Sequence, residues 1–476
     1  MAISTKQSSQ RSDRHAPRAG AHAIVIGASM AGLLTARVLA DSYDRVTVLD
    51  RDRLPTGLDE HRRAVPQGRH AHGLQPGGQQ AIEHLLPGFT DEATQAGAPL
   101  WRPGVDMRFD INGSFVTKIE AGRPSTFASR PFLEGIVRRR VAAIPNVSLR
   151  EQTSVMSLLH HGGRVRGVAL RDRAAGSHER ELRADLVVAA TGRGGRVPAW
   201  LEEMGYERPA EDRVDVDIMY ASRNMRLRPG ALGHDKIVLV APRSGRPRSL
   251  AMLVDEHGTW KVTLNGYGEA HHPPTDPEGW MAFAASIADP EVAAELARAE
   301  PVNEIVSFAY PASVRRRYEK LRRFPAGLLV TGDAICSFNP IYGQGMTIAA
   351  MEAVALQRCL HKGGDRLAKR FFKAVAGTVD QAWKLSAGGD LALDEVAAVA
   401  PLPDRIVGRY MERLTAATAH DKVVARTFLE VTGMVKPLSA LLTPAMMRRV
   451  LRGSRRPAQA AGQPALATGA EASATA

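Results

Sequence analysis

Between Ala23 and Asp50 the chain spaces two glycines and an acid so that they could hold a pyrophosphate and a ribose. An apolar run, Ala23-Ile24-Val25-Ile26, leads into Gly27-Ala28-Ser29-Met30-Ala31-Gly32, then a helix-like apolar segment, then Val46-Thr47-Val48-Leu49 ending on Asp50. The order reads strand, tight turn, helix, strand, acid. In such a unit Gly27 permits the sharp turn and Gly32 lets the helix pack closely on the strand. The helix N-terminus then offers free N–H groups and a positive dipole end to the pyrophosphate. Asp50 is placed to accept the hydroxyls of an adenosine ribose. Ser29 stands where a second glycine is usual; it is small enough to admit a phosphate, though less freely.

A second constellation lies near residue 330. Gly327-Leu328-Leu329-Val330-Thr331-Gly332-Asp333-Ala334 is followed by Asn339-Pro340-Ile341-Tyr342-Gly343-Gln344-Gly345-Met346. An Asp at the end of a buried strand can accept hydrogen bonds from a polyol chain. A proline followed by Gly-x-Gly at a helix start aims backbone N–H groups at an electron-rich ligand edge. Other patterns carry less. Arg69-His70-Ala71-His72 sets two histidines at i and i+2 without a nearby Cys or carboxylate set, so no metal is expected there. His160-His161-Gly162-Gly163 reads as a hairpin turn. Gly192, Gly194 and Gly195 follow a strand but lack the Lys-Ser/Thr of a P-loop, which argues against a kinase or ATPase.

The elements that must position these residues follow from periodicity. Val155 to Leu170 reads as a hairpin and Ala184-Asp185-Leu186-Val187-Val188-Ala189 as a buried strand; from about Asp217 to Gly268, alternation such as Trp260-Lys261-Val262-Thr263-Leu264 predicts an antiparallel sheet. A helix is expected from about Gly343 to Leu360, and mainly helices from Gly363 to Leu451. The chain has 476 residues, 44% hydrophobic, which predicts a globular protein of two or three domains. No run approaches the roughly 18 apolar residues of a membrane span. Residues 1–20 lack the apolar core of a signal peptide, so a cytoplasmic location is expected. Two cysteines, Cys336 and Cys359, suggest neither a disulfide framework nor a zinc site.

The net charge of +13 raises nucleic-acid binding as a candidate. The arginines are scattered, however. Clusters such as Arg138-Arg139-Arg140, Arg315-Arg316-Arg317 and Arg448-Arg449 lack interleaved aromatics, and solvated helix faces are the expected reading. Val435 to Leu451 sets Leu438, Leu441, Leu442, Met446, Met447, Val450 and Leu451 beside Lys436, Arg448 and Arg449; packing over the second domain is favoured over a membrane surface.

Five segments together resemble one family. Gly27 to Gly32, Val65-Pro66-Gln67-Gly68-Arg69-His70-Ala71-His72, Ala128-Ser129-Arg130-Pro131, Ala190-Thr191-Gly192-Arg193-Gly194 and Phe338-Asn339-Pro340-Ile341-Tyr342-Gly343 are similar, in order, to the FAD-dependent polyene epoxidases of polyether biosynthesis. These belong among flavoprotein monooxygenases of the aromatic-hydroxylase type. The resemblance implies an α/β fold: a Rossmann-like FAD-binding domain, an antiparallel β-sheet substrate domain and a helical C-terminal region. It divides the chain into FAD-binding segments 21–90, 124–200 and 322–362, substrate-domain segments 91–123 and 201–321, and a helical region 363–455; the ends 1–20 and 456–476 are low in complexity and expected to be unstructured.

By position, the resemblance implies that Gly27, Ser29 and Gly32 cradle the pyrophosphate of FAD while Asp50, with Arg51, holds the ribose. Arg130 would meet the ribityl-pyrophosphate region, Asp333 the ribityl chain, and Pro340, Gly343 and Gly345 the flavin ring; Arg69 lies in a loop against the flavin. The implied reaction passes oxygen from a flavin C4a-hydroperoxide to an apolar alkene, free or tethered to a carrier, and needs no catalytic side chain of its own. Aromatic hydroxylation, prenyl-chain reduction and a regulatory FAD protein are the alternatives. The Trp-x-Trp of flavin-dependent halogenases is absent, the five Trp being at 101, 200, 260, 280 and 383. Thr191-Gly192 replaces the Asp-Gly pair of aromatic hydroxylases. NAD(P)H is therefore expected as electron source either directly or through a separate flavin reductase.

Overall fold

The computed structural model describes residues 18–62, 65–173, 178–364, 366–396 and 402–453; the ends expected to be unstructured lie almost wholly outside them. Five short parallel strands form the first sheet, in the order Leu328–Val330, Leu186–Ala189, Gly20–Ile26, Tyr43–Leu49, Val147–Arg150. Their residues form near-continuous buried apolar runs, as expected of a parallel sheet covered on both faces. Helices Met30–Leu39, Pro76–Leu85, Arg130–Ala142 and Gly345–Leu360 share its core. A three-stranded antiparallel sheet, Thr153–His161, Arg164–Asp172 and Arg180–Arg183, contributes Val165, Val168 and Leu170 to the same core.

The larger sheet is built round Val306–Arg316, Glu211–Arg226, Trp260–Tyr267, Arg248–Val254 and Ile237–Val240, neighbours in that order and antiparallel throughout. It departs from the purely antiparallel expectation at one edge. Met107–Ile111 pairs in parallel with Ile237–Val240. That strand arrives from a distant segment, and no hairpin turn dictates its direction. Trp280, Phe283, Val292 and Leu296, from helices Pro277–Ala285 and Pro290–Arg298, cover one face by packing on Leu250, Met252, Val262 and Leu264. The alternate residues of the same strands face the other way, toward the parallel-sheet domain.

The C-terminal region divides its contacts. Helix Leu367–Asp390 sends Phe371, Phe372, Val375 and Val379 into the core of the parallel sheet. Leu414, Ala417, Val424, Phe428, Leu441, Met446 and Val450 cluster with Ile111 and Val116 at the end of the larger sheet. The amphipathic segment thus packs with one face, leaving Leu442, Met447 and Leu451 exposed. Two arginine clusters differ from the solvated helix faces expected. Arg315 lies in a strand, is fully buried and pairs with Glu319 and Asp380; Arg138 is buried with a hydrogen bond to the Gly57 carbonyl. Glu319 four residues on, Asp380 and the Gly57 carbonyl take up their charge. Both cysteines are buried and free. Among the described residues no helix is long and apolar enough to cross a membrane.

Candidate functional site

The site begins at the turn after the first strand. Gly27 has φ +108°, and a Cβ there would lie 2.4 Å from the Ala190 carbonyl oxygen; a Cβ on Gly32 would lie 1.8 Å from that of Gly27. Both contacts are with backbone, so neither residue can grow. Ser29 is the N-cap of helix Met30–Leu39, yet its side chain makes no bond to the helix's own N–H groups. It turns instead to helix Arg130–Ala142, donating to Glu134 Oε2 at 2.8 Å and accepting from Arg130 Nη2 at 3.0 Å. The first-turn N–H groups are left for an anion, the arrangement a pyrophosphate requires.

Asp50 is buried and well occupied. Its Oδ2 accepts from the Ala28 N–H and from Arg62, both at 2.7 Å, and its Oδ1 from the Asp52 N–H at 2.8 Å. Oδ1 keeps acceptor capacity for a ribose hydroxyl. Arg62 also donates to the Ala28 carbonyl and to Glu134 Oε1, each at 2.7 Å. An Asp50–Arg62–Glu134 chain therefore clamps the turn from above. Sequence reasoning missed Arg62 and Glu134; the available signal was an acid inside the apolar stretch Leu133 to Val137. Arg51, by contrast, is exposed, and among the described residues only its carbonyl is engaged, accepting from Arg173 at 3.4 Å.

The strand Leu328–Val330 delivers the second constellation to the same helix end. Gly332 has φ +68°, and a Cβ on it would meet the Ala31 Cβ at 2.7 Å. Asp333 follows, without a hydrogen-bond partner among the described residues. Burial raises its pKa, and Arg130 and Arg193 oppose the shift. Beneath it, Glu352 Oε2 accepts from Thr331 Oγ1 at 2.7 Å and the Gly332 N–H at 2.6 Å. Burial pushes the Glu352 carboxyl up to about 7.

Asn339 opens the next loop, where Pro340–Tyr342 makes one 3₁₀ turn, Gly343 sits at φ +62° and helix Gly345–Leu360 begins. Asn339 is fully buried. It donates from Nδ2 to Asp390 Oδ1 at 2.9 Å and to the Tyr267 hydroxyl at 3.0 Å, and its Oδ1 accepts from the Tyr220 hydroxyl. Asp390 Oδ1 also accepts from Tyr267 at 2.9 Å and Tyr342 at 3.0 Å, while Oδ2 has no hydrogen-bond partner among the described residues. Burial raises the Asp390 carboxyl to about 6 against those three donors. A Cβ on Gly389 would fall 2.3 Å from the Tyr342 hydroxyl, so the glycine makes the room. This cluster was not legible in the sequence.

The Arg69–Gly73 segment runs between the two domains. His70 Nδ1 pairs with Ser222 Oγ at 2.7 Å, and the Ala71 N–H donates to Thr263 Oγ1 at 2.8 Å. Burial, with Lys261 and Arg69 nearby, lowers His70 to about 4; burial and Arg130 lower His72 to about 3. Both imidazoles are neutral at pH 7. Arg69 is exposed at the rim. No three His, Cys, Asp or Glu side chains gather as a metal site among the described residues.

Gly27, Ser29, Gly32, Asp50 and Arg130 thus gather round one turn, and Asp333 comes near Gly345, while Pro340 and Gly343 lie in the loop that precedes it. Arg130 touches Ser29, Gly332 abuts Ala31, and Asp333 Oδ1 lies 3.8 Å from where a Gly345 Cβ would be. Above it, the inner face of the larger sheet changes character. Tyr220, Ser222, Thr263 and Asn265 form a polar half; register places Ala251, Leu253, Leu239, Ile237, Phe109 and Met107 on the same face as an apolar half.

The FAD binding domain family matches residues 21–363. Over 86% of its length the chain is 40% identical to protein Rv3254 of Mycobacterium tuberculosis, covering 88% of it. It is 29% identical to 6-methylpretetramide 4-monooxygenase of Streptomyces rimosus, with 76% of this chain and 81% of that one aligned. With squalene epoxidase 1 of Arabidopsis thaliana it shares 26% identity over 71% of this chain and 59% of that protein. Among solved structures, the flavin-dependent brominase Bmp2 superposes with a TM-score of 0.62 at 16% identity, over 91% of this chain and 98% of that one. That likeness shows a shared fold.

Proposed function

We propose that this chain, a member of the FAD binding domain family within the flavoprotein monooxygenase superfamily, epoxidises an alkene of an apolar, polyene-like natural-product precursor. The observation that carries the reading is the apolar half of the sheet's inner face, where Phe109, Leu239 and Ala251 stay partly exposed while Met107, Ile237 and Leu253 are packed under Trp101 and Phe127. Such a surface suits a hydrocarbon. FAD fits the residues below it, because among the described residues the first-turn N–H groups and the Asp333 carboxylate are polar groups without hydrogen-bond partners. Ser29 with Arg130 would meet the pyrophosphate, Asp50 the ribose, Asp333 the ribityl chain, and Pro340, Gly343 and Gly345 the ring. Bound and reduced, FAD supplies dioxygen activation, the difficult part of the chemistry.

The protein's own tasks are positional. The apolar strands orient the double bond and exclude water, and the helix end beginning at Gly345 favours negative charge on a ligand beside it. One oxygen atom goes to the alkene and the other leaves as water, the two electrons coming ultimately from NAD(P)H, directly or through a separate reductase. Relatives named as an epoxidase and a 4-monooxygenase support oxygen transfer; they leave aromatic hydroxylation as the second reading.

The test is to reduce the FAD-loaded protein without air, then admit oxygen-18 gas in the presence of squalene, a polyunsaturated fatty acid or a phenol. Label on an alkene carbon pair, with no hydrogen lost, is the expected result. Label on the phenol ring would favour a hydroxylase, and unlabelled saturation of a double bond would make the protein a reductase.

A further inference from the structure

The last described helix, Pro444–Gly453, is held to the rest of the molecule by one narrow side. Of its ten residues only Met446 and Val450 are buried, in a cluster with Leu414, Ala417 and Phe428. Pro444, Met447 and Leu451, at i, i+3 and i+7, form a second stripe, and all three are exposed. Met447 is 43% exposed and Leu451 46%; Leu442, in the 3₁₀ turn that feeds the helix, is 52% exposed. Single apolar residues at a surface are ordinary. Among the described residues, however, nine large apolar side chains are exposed, and three of them fall within the ten positions from Leu442 to Leu451.

The charge beside this stripe has one sign. Arg448 and Arg452, at i and i+4, run along its edge and are exposed. Among the described residues neither has an acidic partner: Arg448 donates only to the Pro444 carbonyl, at 3.3 Å, whereas Arg449, on the other side of the helix, pairs with Asp421 at 3.0 Å. No acidic residue occurs in the sequence between Glu430 and Glu471, a stretch that carries Lys436, Arg455 and Arg456 besides the three arginines of the helix. Lys436 is taken by Glu430 at 2.6 Å. The helix therefore presents a convex ridge of apolar side chains bordered by free guanidinium groups. An interface of lipid headgroups and acyl chains receives such a ridge without a matching groove, and its anionic phosphates complement the arginines.

We infer that the outer side of helix Pro444–Gly453, with Leu442, docks on the surface of an anionic lipid bilayer, Met447 and Leu451 entering the acyl boundary and Arg448 and Arg452 meeting headgroup phosphates. At about 15 Å the helix is half as long as the hydrocarbon layer is thick, so it lies in the interface and does not span it. A second copy of the chain is the poorer occupant, because two such faces would bring arginines against arginines. The inference is independent of the oxygenation reading. It is read by binding alone, so either can fail while the other stands.

Flotation of the FAD-loaded full chain with vesicles of phosphatidylcholine, alone or mixed two to one with phosphatidylglycerol, decides the matter at physiological salt. Wild type is expected to float with the mixed vesicles and to bind phosphatidylcholine alone roughly tenfold less tightly. The triple variant Leu442→Ser, Met447→Ser, Leu451→Ser should stay at the bottom of the gradient while keeping its flavin and its Tm, since all three side chains are exposed. The double variant Arg448→Gln, Arg452→Gln should bind the mixed vesicles roughly tenfold less tightly and no longer distinguish the two lipid compositions. Absence of flotation, or flotation unchanged in the triple variant, would overturn the inference, the latter reducing it to a general attraction of a basic chain to anionic lipid. A wild-type dimer in gel filtration that dissociates in the triple variant would make the face an interface between copies. Retention on an immobilised acyl carrier protein, lost in the triple variant and unaccompanied by flotation, would replace the bilayer by an acidic protein partner.

Discussion

At Gly32 the missing side chain is a packing requirement rather than a matter of flexibility. A methyl group 1.8 Å from the Gly27 oxygen would force the first helix off the first strand. Gly32→Ala should therefore destabilise the protein by roughly 1–3 kcal/mol, the usual range for overpacking, and abolish FAD retention. Urea unfolding and the ratio of flavin to protein absorbance check both effects. Glu352 yields a pH prediction with a definite sign. Its folded pKa, about 7, lies above the ordinary 4.5, so the folded state holds its proton while the unfolded chain releases it. Stability from this group is complete below pH 4.5, falls as pH rises toward 7, and is then flat. At about 1.4 kcal/mol per unit the fall amounts to roughly 3 kcal/mol at most. Unfolding of the apoprotein at pH 5 and pH 8 should show a wild-type loss that is smaller by about 2–3 kcal/mol in Glu352→Gln, the other titrating groups cancelling in the comparison.

Between elements, Asp390 joins the Asn339–Gly345 loop to the larger sheet. One oxygen at the end of a C-terminal helix accepts hydrogen bonds from the larger sheet, through Tyr267, and from the loop, through Asn339 and Tyr342. Asp390→Ala strands these buried donors and is expected to cost about 3–5 kcal/mol and to weaken FAD binding. Asp390→Asn keeps an acceptor and should lose less on both counts; equal FAD dissociation constants for wild type and both variants would show that the cluster does not support the loop. The reason this link was illegible is physical. Gly27, Gly32, Gly332 and Gly343 are backbone constraints, which the sequence states as glycine, and the strand–turn–helix pattern around them can be read locally. Asp390 and Arg62 acquire meaning only from tertiary partners, 48 or more residues away in the case of Asp390, and nothing in Ser-Ala-Gly-Gly-Asp distinguishes a network acid from a surface one. The parallel pairing of Met107–Ile111 was hidden for the same reason, because alternation predicts a strand but not its neighbour.

For the whole molecule, the question is whether the family-matched span, residues 21–363, is a self-sufficient flavoprotein. Its boundary falls just before helix Leu367–Asp390, whose Phe371, Phe372, Val375 and Val379 complete the core of the parallel sheet. The same helix is tied to the larger sheet by Asp380, which pairs with Arg315 at 3.1 Å and with Arg317 at 2.8 Å. Removing it uncovers apolar surface and leaves Arg315, fully buried, with Glu319 as its remaining ion-pair partner among the described residues. It also deprives Asn339, Tyr267 and Tyr342 of their common acceptor. At roughly 1.5–3 kcal/mol for each large apolar side chain withdrawn, the loss from the four residues alone rivals the ~5–15 kcal/mol by which a typical domain is stable. A chain ending at residue 363 is thus expected to elute from gel filtration as aggregate and without flavin absorbance, although it contains every residue assigned here to FAD. A monomeric, yellow fragment would mean that the parallel-sheet domain closes its own core, and would reduce the C-terminal helices to a cover over the substrate face.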